Sequence, residues 1–206
     1  MIIVYSLWYP PAPIFNPADP QMMPTTATTP CVAPPLLAHS VAPKTTLTYR
    51  VLGNTTAVMD DAEQCLHRAF AVWNTVLDEQ DIQFVPVSDA SRPTNLVVYF
   101  GPLPVGTGGA ITDVTRDALG YLSGTGILVN TNQDTVSSCL GYYKVGLHEI
   151  GHVLGLGHPF ATLESSVMNS MNGVNDVHKN IPLVPTDCDV AQVWRASAHP
   201  RVAGSQ

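Results

Sequence analysis

Three histidines and one glutamate lie within the eleven residues HEIGHVLGLGH, at positions 148–158. On an α-helix, His148 and His152 point in the same direction one turn apart, so both imidazoles can reach a single metal ion. Glu149 is rotated by about 100° from His148, so it can flank the ion without binding it. The spacing therefore predicts a metal site with a carboxylate beside it.

A third ligand requires a sharp change of chain direction, and Gly155 can supply it. Glycine enters the left-handed conformation at little cost, which ends the helix and turns the chain back so that His158 can close the ligand set. Three neutral nitrogens leave a fourth position for water, the mark of a catalytic zinc. We therefore expect one zinc ion, with Glu149 as general base on the water that the metal activates.

The stretch resembles the signature HExxHxxGxxH of the metzincins, which are zinc endopeptidases with a methionine turn beneath the metal. Ser166-Val167-Met168-Asn169 is similar to that turn, with Met168 as its methionine and Met171 as a weaker candidate. Some metzincins carry a tyrosine just after the methionine, but Asn169-Ser170 stand here. No tyrosine is therefore expected to assist the oxyanion.

Among metzincins the chain resembles the matrixins, over about residues 46–197. The similarity rests on LTYRV (47–51), AFAVW (69–73), NLVVYFG (95–101) and PTDCDVAQV (185–193). It implies a metalloendopeptidase of α+β class with two lobes: a twisted mixed β-sheet with two long helices above, and a small C-terminal lobe with the methionine turn and one helix. It also implies an extended protein or peptide substrate along an edge strand within 108–116, and a specificity pocket walled by 169–185.

Animal matrixins carry a second, structural zinc and calcium sites before the active-site helix. Residues 101–139 contain no histidine, so a second zinc is not expected, and calcium is left open. A minimal matrixin is therefore the better comparison.

The elements that must position the site follow from hydrophobic periodicity. Asp60-x-x-Glu63 is a capping-box pattern that begins an amphipathic helix at about 60–78. The active-site helix should run from about 140 to 155 and a C-terminal helix from about 187 to 197, with Thr186 or Asp187 as its N-cap. Alternating or apolar runs predict strands at 46–52, 82–87, 95–101 and 126–132.

A glycine-rich stretch with Gly106, Gly108 and Gly109 lies between the last two predicted strands. It is not interpreted as a phosphate-binding loop, because no lysine and no helix start follow it. It is interpreted as a bulged edge strand and a turn.

Composition restricts partners and organisation. A net charge of −7, with scattered basic residues, argues against nucleic acid. No stretch is long and apolar enough for a membrane span. Residues 1–43 are rich in Pro and Thr and are interpreted as a pro-segment or a linker, and 44–206 as the catalytic domain. We expect a secreted monomer, although MIIVYSLWYPP at the start makes a poor signal peptide.

The four cysteines could form disulfides, and one of them could block the zinc in an inactive precursor. Cys31, Cys65, Cys139 and Cys188 allow two disulfides with three connectivities, or buried thiols. By resemblance to matrixin pro-segments, Cys31 within Pro30-Cys31-Val32-Ala33-Pro34 is a candidate to block the zinc, but a disulfide to Cys65 explains it as well. Asp19 is a further candidate for the blocking group.

Other interpretations remain. The chain could be a catalytically silent zinc-binding interaction module on a metzincin scaffold, although such a module would normally have lost Glu149 or one ligand. It could also be a structural segment whose Pro/Thr-rich front is the working part. The remaining histidines lack a partner at ligand spacing and are interpreted as surface or packing residues; they are His39, His67, His178 and His199.

Overall fold

The computed structural model describes residues 33–52, 59–104, 110–131, 138–159, 166–169 and 182–198. These residues form a mixed α/β structure, consistent with the predicted α+β class. Five strands make one sheet: β1 (Thr46–Leu52), β2 (Gln83–Pro86), β3 (Leu96–Gly101), β4 (Ala110–Arg116) and β5 (Leu122–Asn130). Three α-helices accompany it: α1 (Met59–Val76), α2 (Cys139–Val153) and α3 (Asp187–Ala198).

The sheet has the strand order β2-β1-β3-β5-β4. The pairs β1–β2, β1–β3 and β3–β5 are parallel, whereas β4 runs antiparallel to β5 and lies at the edge. The register of β4 with β5 shifts between Thr115 and Arg116, whereas the glycines for which a bulge is predicted lie outside the described residues. The sheet is therefore mixed, and its antiparallel edge strand contacts the residue predicted as general base, through Thr112 and Glu149.

Alternation of apolar residues explains why one face of the sheet is covered. In β1, Leu47, Tyr49 and Val51 are buried while the residues between them are more exposed. Because successive strand residues point to opposite faces, these three belong to one face. Together with Leu96 and Val98 of β3 they join the core beneath the helices.

Helix α1 buries a stripe at helical spacing, which includes Ala69, Phe70 and Trp73. The Phe70 ring stacks on Tyr49 of β1 with centroids 3.8 Å apart. The Trp73 indole N–H donates to the carbonyl of Leu147, at 3.0 Å, in a buried bond. Helix α1 therefore joins the sheet to α2, the helix that carries the predicted ligands.

A disulfide between Cys65 of α1 and Cys139 of α2 also joins the two helices, with Cα atoms 5.5 Å apart. This pairing excludes the alternative in which Cys65 bonds Cys31. Cys188 is disulfide-bonded as well, so none of the cysteines that the structure describes is free.

The predicted elements agree with the structure to within a few residues, with one larger difference. Strand β5 begins at Leu122, four residues before the predicted start at Gly126, because its first residues, which include glycines, pair with β4.

Within the described residues, no helix is long and apolar enough to cross a membrane. The domain boundary predicted between residues 43 and 44 stays a prediction. Residues 34–41, which precede it, form backbone hydrogen bonds with the turn after α2 and with Gly120 and Leu122.

Candidate metal centre

Helix α2 delivers two of the three predicted ligands. Ser138 caps it, since its hydroxyl accepts a hydrogen bond from the backbone N–H of Gly141 at 3.1 Å. The helix is buried along most of its length, and His148 and His152 face the same side one turn apart. Their ring centroids are 4.8 Å apart, so both can address one point in space.

The helix ends in a turn that carries the third ligand. Gly155 has a φ of 96°, in the left-handed region that favours glycine. The N–H of Gly155 bonds the carbonyl of His152 at 3.0 Å, and the N–H of Leu156 bonds that of Gly151 at 2.9 Å. These two bonds are the Schellman pattern, which reverses the chain after the last helical turn. His158 is thereby brought back toward the other two imidazoles, as predicted.

The ring tautomers are fixed by backbone carbonyls, which can only accept. Nδ1 of His148 lies 2.8 Å from the carbonyl oxygen of Val167, and Nδ1 of His152 lies 2.8 Å from that of Leu156. Both Nδ1 atoms must therefore carry the proton, which leaves each Nε2 with a free lone pair. Such second contacts orient metal-binding histidines in proteins.

The two Nε2 atoms converge on Nε2 of His158, which lies 2.8 Å from that of His148 and 3.0 Å from that of His152. Three Nε2 atoms this close together form a donor set that a single cation could bridge. A tetrahedral ion at about 2.0–2.1 Å from each nitrogen would hold the nitrogens about 3.3 Å apart, so each of these two distances would lengthen by only a few tenths of an ångström. The three histidines form a group that could hold a metal ion.

The three histidines differ in how far they are buried. His148 is buried, His152 is half-buried and His158 is exposed, so the site opens to solvent on one side. Burial holds the pKa of the His148 imidazole well below its usual range, and burial also lowers the pKa of His158. Both rings therefore favour the neutral form, which is the form that binds metal.

Glu149 follows the first predicted ligand in α2, and only 3% of this residue is exposed. The hydroxyl of Thr112, on the edge strand β4, donates to Oε2 of Glu149 at 2.5 Å. Burial raises the pKa of this carboxyl, while the neighbouring His152 and the Thr112 hydrogen bond oppose the rise. A buried carboxylate held in one orientation is suited to accept and return a proton.

Met168 lies beneath the helix and is fully buried. A Cβ atom at Gly151, between the two helical ligands, would overlap the sulfur of Met168, so a glycine at this position lets the methionine approach. Met171, the weaker candidate, lies outside the described residues.

Asp189 of α3 holds the segment that contains Met168. One carboxylate oxygen accepts from the Ser166 hydroxyl at 2.7 Å and the other from the Val167 N–H at 3.2 Å. The same carboxylate accepts from the Thr186 N–H at 2.9 Å, and the Val190 N–H bonds the Thr186 carbonyl at 3.0 Å, so Thr186 rather than Asp187 is the N-cap of α3. Burial raises the pKa of Asp189, whereas these hydrogen bonds lower it.

Three residues of the site were not assigned a role by the sequence: Thr112, Asp189 and His39. Thr186-x-x-Asp189 is a capping-box pattern that could have indicated Asp189. His39 was interpreted as a surface or packing residue; it is buried, and its ring lies 2.7 Å from the carbonyl oxygen of His152. Neither Thr112 nor His39 lies in a motif.

Several sequence predictions fall on residues that the structure does not describe. These include both candidate blocking groups, three glycines that precede β4 in the sequence, two histidines and most of the segment predicted to wall the specificity pocket: Cys31, Asp19, Gly106, Gly108, Gly109, His178, His199 and 170–181. Comparison with known proteins adds no family assignment, since no family model and no curated protein matches the chain.

Proposed function

We propose that this protein is a zinc-dependent endopeptidase of the metzincin type. The observation that carries the proposal is the convergence of three Nε2 atoms, two of them with fixed tautomers, next to an oriented carboxylate. His148, His152 and His158 are the proposed zinc ligands, and Glu149 is the proposed general base. Zinc is the expected metal because a set of three imidazoles with an exposed side is typical of catalytic zinc.

The reaction divides between the metal and the protein. Bound zinc would supply Lewis-acid activation of a water molecule and of the scissile carbonyl. Glu149 accepts the proton of the attacking water and passes it to the leaving amine. Thr112 holds the Glu149 carboxylate in place during both transfers through its 2.5 Å hydrogen bond. The exposed face at His158 leaves room for the substrate.

We propose that the substrate is a protein or peptide bound in extended form along β4. This strand is antiparallel to β5 on one side and lies at the edge of the sheet that the described residues form. An edge strand presents backbone donors and acceptors to an added strand. Because Thr112 is on β4 and contacts Glu149, a peptide paired there would pass directly by the general base.

The matrixin-like details belong to the same proposal. A mixed sheet with an antiparallel edge strand, and a buried methionine packed against Gly151, support a minimal matrixin with one zinc. The disulfide between Cys65 and Cys139 supports an oxidising compartment, and so secretion. We propose that the enzyme acts as a monomer.

Metal analysis and proteolysis of the full chain test this function. We expect about one zinc per chain and cleavage of an unfolded protein substrate that stops with a zinc chelator and returns with zinc. Glu149→Gln should keep the zinc and lose at least about 100-fold in kcat, within the range for loss of a general base. Glu63→Gln, at a partly exposed glutamate of α1, is the matched control and should cleave like the unmodified protein.

Two results would overturn the proposal in different ways. Stoichiometric zinc without any cleavage would favour the silent zinc-binding module instead. A native protein with no bound metal, or full cleavage by Glu149→Gln, would remove the proposed chemistry itself.

A further inference from the structure

Residues 34–41, here called the N-terminal strap, run along the turn that leads to His158. Leu36 forms an antiparallel bridge with Leu156. The N–H of Leu37 donates to the carbonyl of Gly155 at 2.8 Å, and the N–H of Gly157 donates to that of Pro35 at 2.7 Å. The turn between the second and third ligands is therefore paired, as a short ladder, with a segment more than 110 residues earlier in the chain.

The approach of the strap is close enough to exclude side chains from the turn. A Cβ atom at Gly155 would overlap the carbonyl oxygen of His39. At Gly157, a Cβ atom would lie 3.2 Å from the carbonyl oxygen of Pro35 and 3.3 Å from the Leu37 side chain. The turn has glycines at both positions, and the strap fills the space that side chains would need.

His39 connects the strap to the second ligand. Its ring Nε2 donates to the carbonyl of His152 at 2.7 Å. That carbonyl lies in the last turn of α2 and also accepts from the N–H of Gly155 at 3.0 Å, so His39 provides it with a second donor. The imidazole of His39 thus restrains the backbone of a proposed ligand from below.

The strap is anchored at both ends and in its middle. Gln192 of α3 donates to the carbonyl of Pro34 at 2.6 Å, and Arg116 at the end of β4 donates to that of Ala38 at 2.7 Å. Ser40 pairs with the turn after β4, through Gly120 and Leu122, at 3.2 and 2.8 Å. The strap therefore links α3, the metal-site turn and the edge strand.

We propose that the N-terminal strap is a permanent part of the metal centre and that His39 is a positioning residue for His152 and His158. The proposal rests on the proposed zinc peptidase function and extends it to regulation. If a pro-segment is removed on activation, the cut must fall before Pro34, because a later cut would remove the pairing that holds the third ligand. The removable part of residues 1–43 is then 1–33 at most.

The test measures cobalt(II) binding by the metal-free full chain, for the unmodified protein and for His39→Ala and His39→Gln. We expect His39→Ala to bind cobalt(II) about 10- to 100-fold more weakly, as for other residues that orient metal ligands, and to change the visible absorption of the bound ion. His39→Gln, whose amide N–H can replace the lost donor, should recover most of the affinity. His67→Ala, at a partly exposed histidine of α1, is the matched control and should bind normally.

Unchanged cobalt(II) affinity and spectrum in His39→Ala would overturn the role of His39 while leaving the peptidase proposal intact. An unmodified protein that binds neither zinc nor cobalt(II) would instead remove the proposed function. A second measurement does not depend on the folding of any variant: the first residue of the active enzyme, read by mass spectrometry. A start at Pro34 or earlier supports the proposal, and a later start with full metal affinity overturns it.

Discussion

Thr112 shows how one hydroxyl from the edge strand can set the orientation of the proposed general base. Its hydrogen bond to a buried carboxylate is of the charge-assisted kind, which contributes about 1.5–3 kcal/mol. Thr112→Val, which keeps the shape and removes the donor, should therefore lower kcat by about 10- to 100-fold with little change in KM or zinc content.

Steady-state kinetics with zinc analysis would check this. Thr112→Ser should retain most of the activity because the hydroxyl remains. Thr115→Val, on the same strand but bonded to Gly124 rather than to Glu149, is the control. Full activity in Thr112→Val would show that Glu149 is oriented by other contacts.

At Gly151, helix propensity favours alanine, whereas packing against Met168 favours glycine. Alanine should favour the helix by about 1 kcal/mol, but its Cβ would overlap the sulfur of the fully buried Met168. Overpacking a closed core costs about 1–3 kcal/mol, so Gly151→Ala should destabilise the protein by up to about 2 kcal/mol in urea unfolding. Gly126→Ala, where the nearest atom would lie at 3.7 Å, is the control for packing. A Gly151→Ala protein as stable as the unmodified one would mean that Met168 can shift away.

The sequence predicts those site residues whose contacts are local in the chain, and it misses those whose contacts are long-range. His148, Glu149, His152 and His158 lie within one helix and its turn, so local geometry predicts their convergence. Thr112 lies 37 positions from Glu149, and His39 lies 113 positions from His152. No local periodicity encodes such pairs, because they exist only after the sheet and the strap have packed on α2.

At the scale of elements, the packed pair α1–α2 supports the proposed metal ligands. Gly146 of α2 lies so close to α1 that a Cβ atom there would come within 2.8 Å of the Ala69 side chain. The Cys65–Cys139 disulfide fixes the same pair across 74 positions of sequence. A cross-link over a loop of this length typically contributes about 2–5 kcal/mol.

The double variant Cys65→Ala with Cys139→Ala should therefore lose about 2–5 kcal/mol of unfolding free energy, measured by urea titration at neutral pH. A reductant should destabilise the unmodified protein by more than it destabilises the variant, since only the bond at Cys188 remains in the latter. Equal stability of the variant and the unmodified protein would show that helix packing alone fixes α1 on α2.

The elements themselves were largely predictable because their periodicities are strong. The helical stripe that includes Phe70 and Trp73, and the alternation in 46–52, gave α1 and β1 nearly to the residue. The start of β5 was missed because Gly124 and Gly126 weaken the strand pattern. Pairing with β4 decides this segment, and pairing is a tertiary property that the segment does not carry alone.

At the scale of the whole molecule, residues 34–41 have a placement that composition alone does not predict. Prolines at 34, 35 and 43 predict extended chain, which fits both a linker and a strand-like strap. What distinguishes the two is the set of carbonyl and N–H groups that the chain finds at Gly155, Gly157 and Gln192. Those partners lie more than 110 positions later in the sequence, so composition cannot reveal them.

The proposed metal centre connects these distant parts, and metal removal should therefore destabilise the molecule as a whole. His148 bonds the carbonyl of Val167, whose N–H bonds Asp189 of α3, while His152 bonds the strap through His39. An ion present at about 100 times its dissociation constant stabilises the native state by about 2.7 kcal/mol. For a chain of this size, that corresponds to a fall of about 5–10 °C in Tm when a chelator removes the metal.

Differential scanning calorimetry with and without a chelator measures this fall. The double variant His148→Ala with His152→Ala should unfold at a lower Tm and show no response to the chelator, whereas Glu149→Gln should respond like the unmodified protein because its ligands are intact. An equal Tm in the zinc-loaded and chelated protein would mean that the metal does not hold α2, α3 and the strap together.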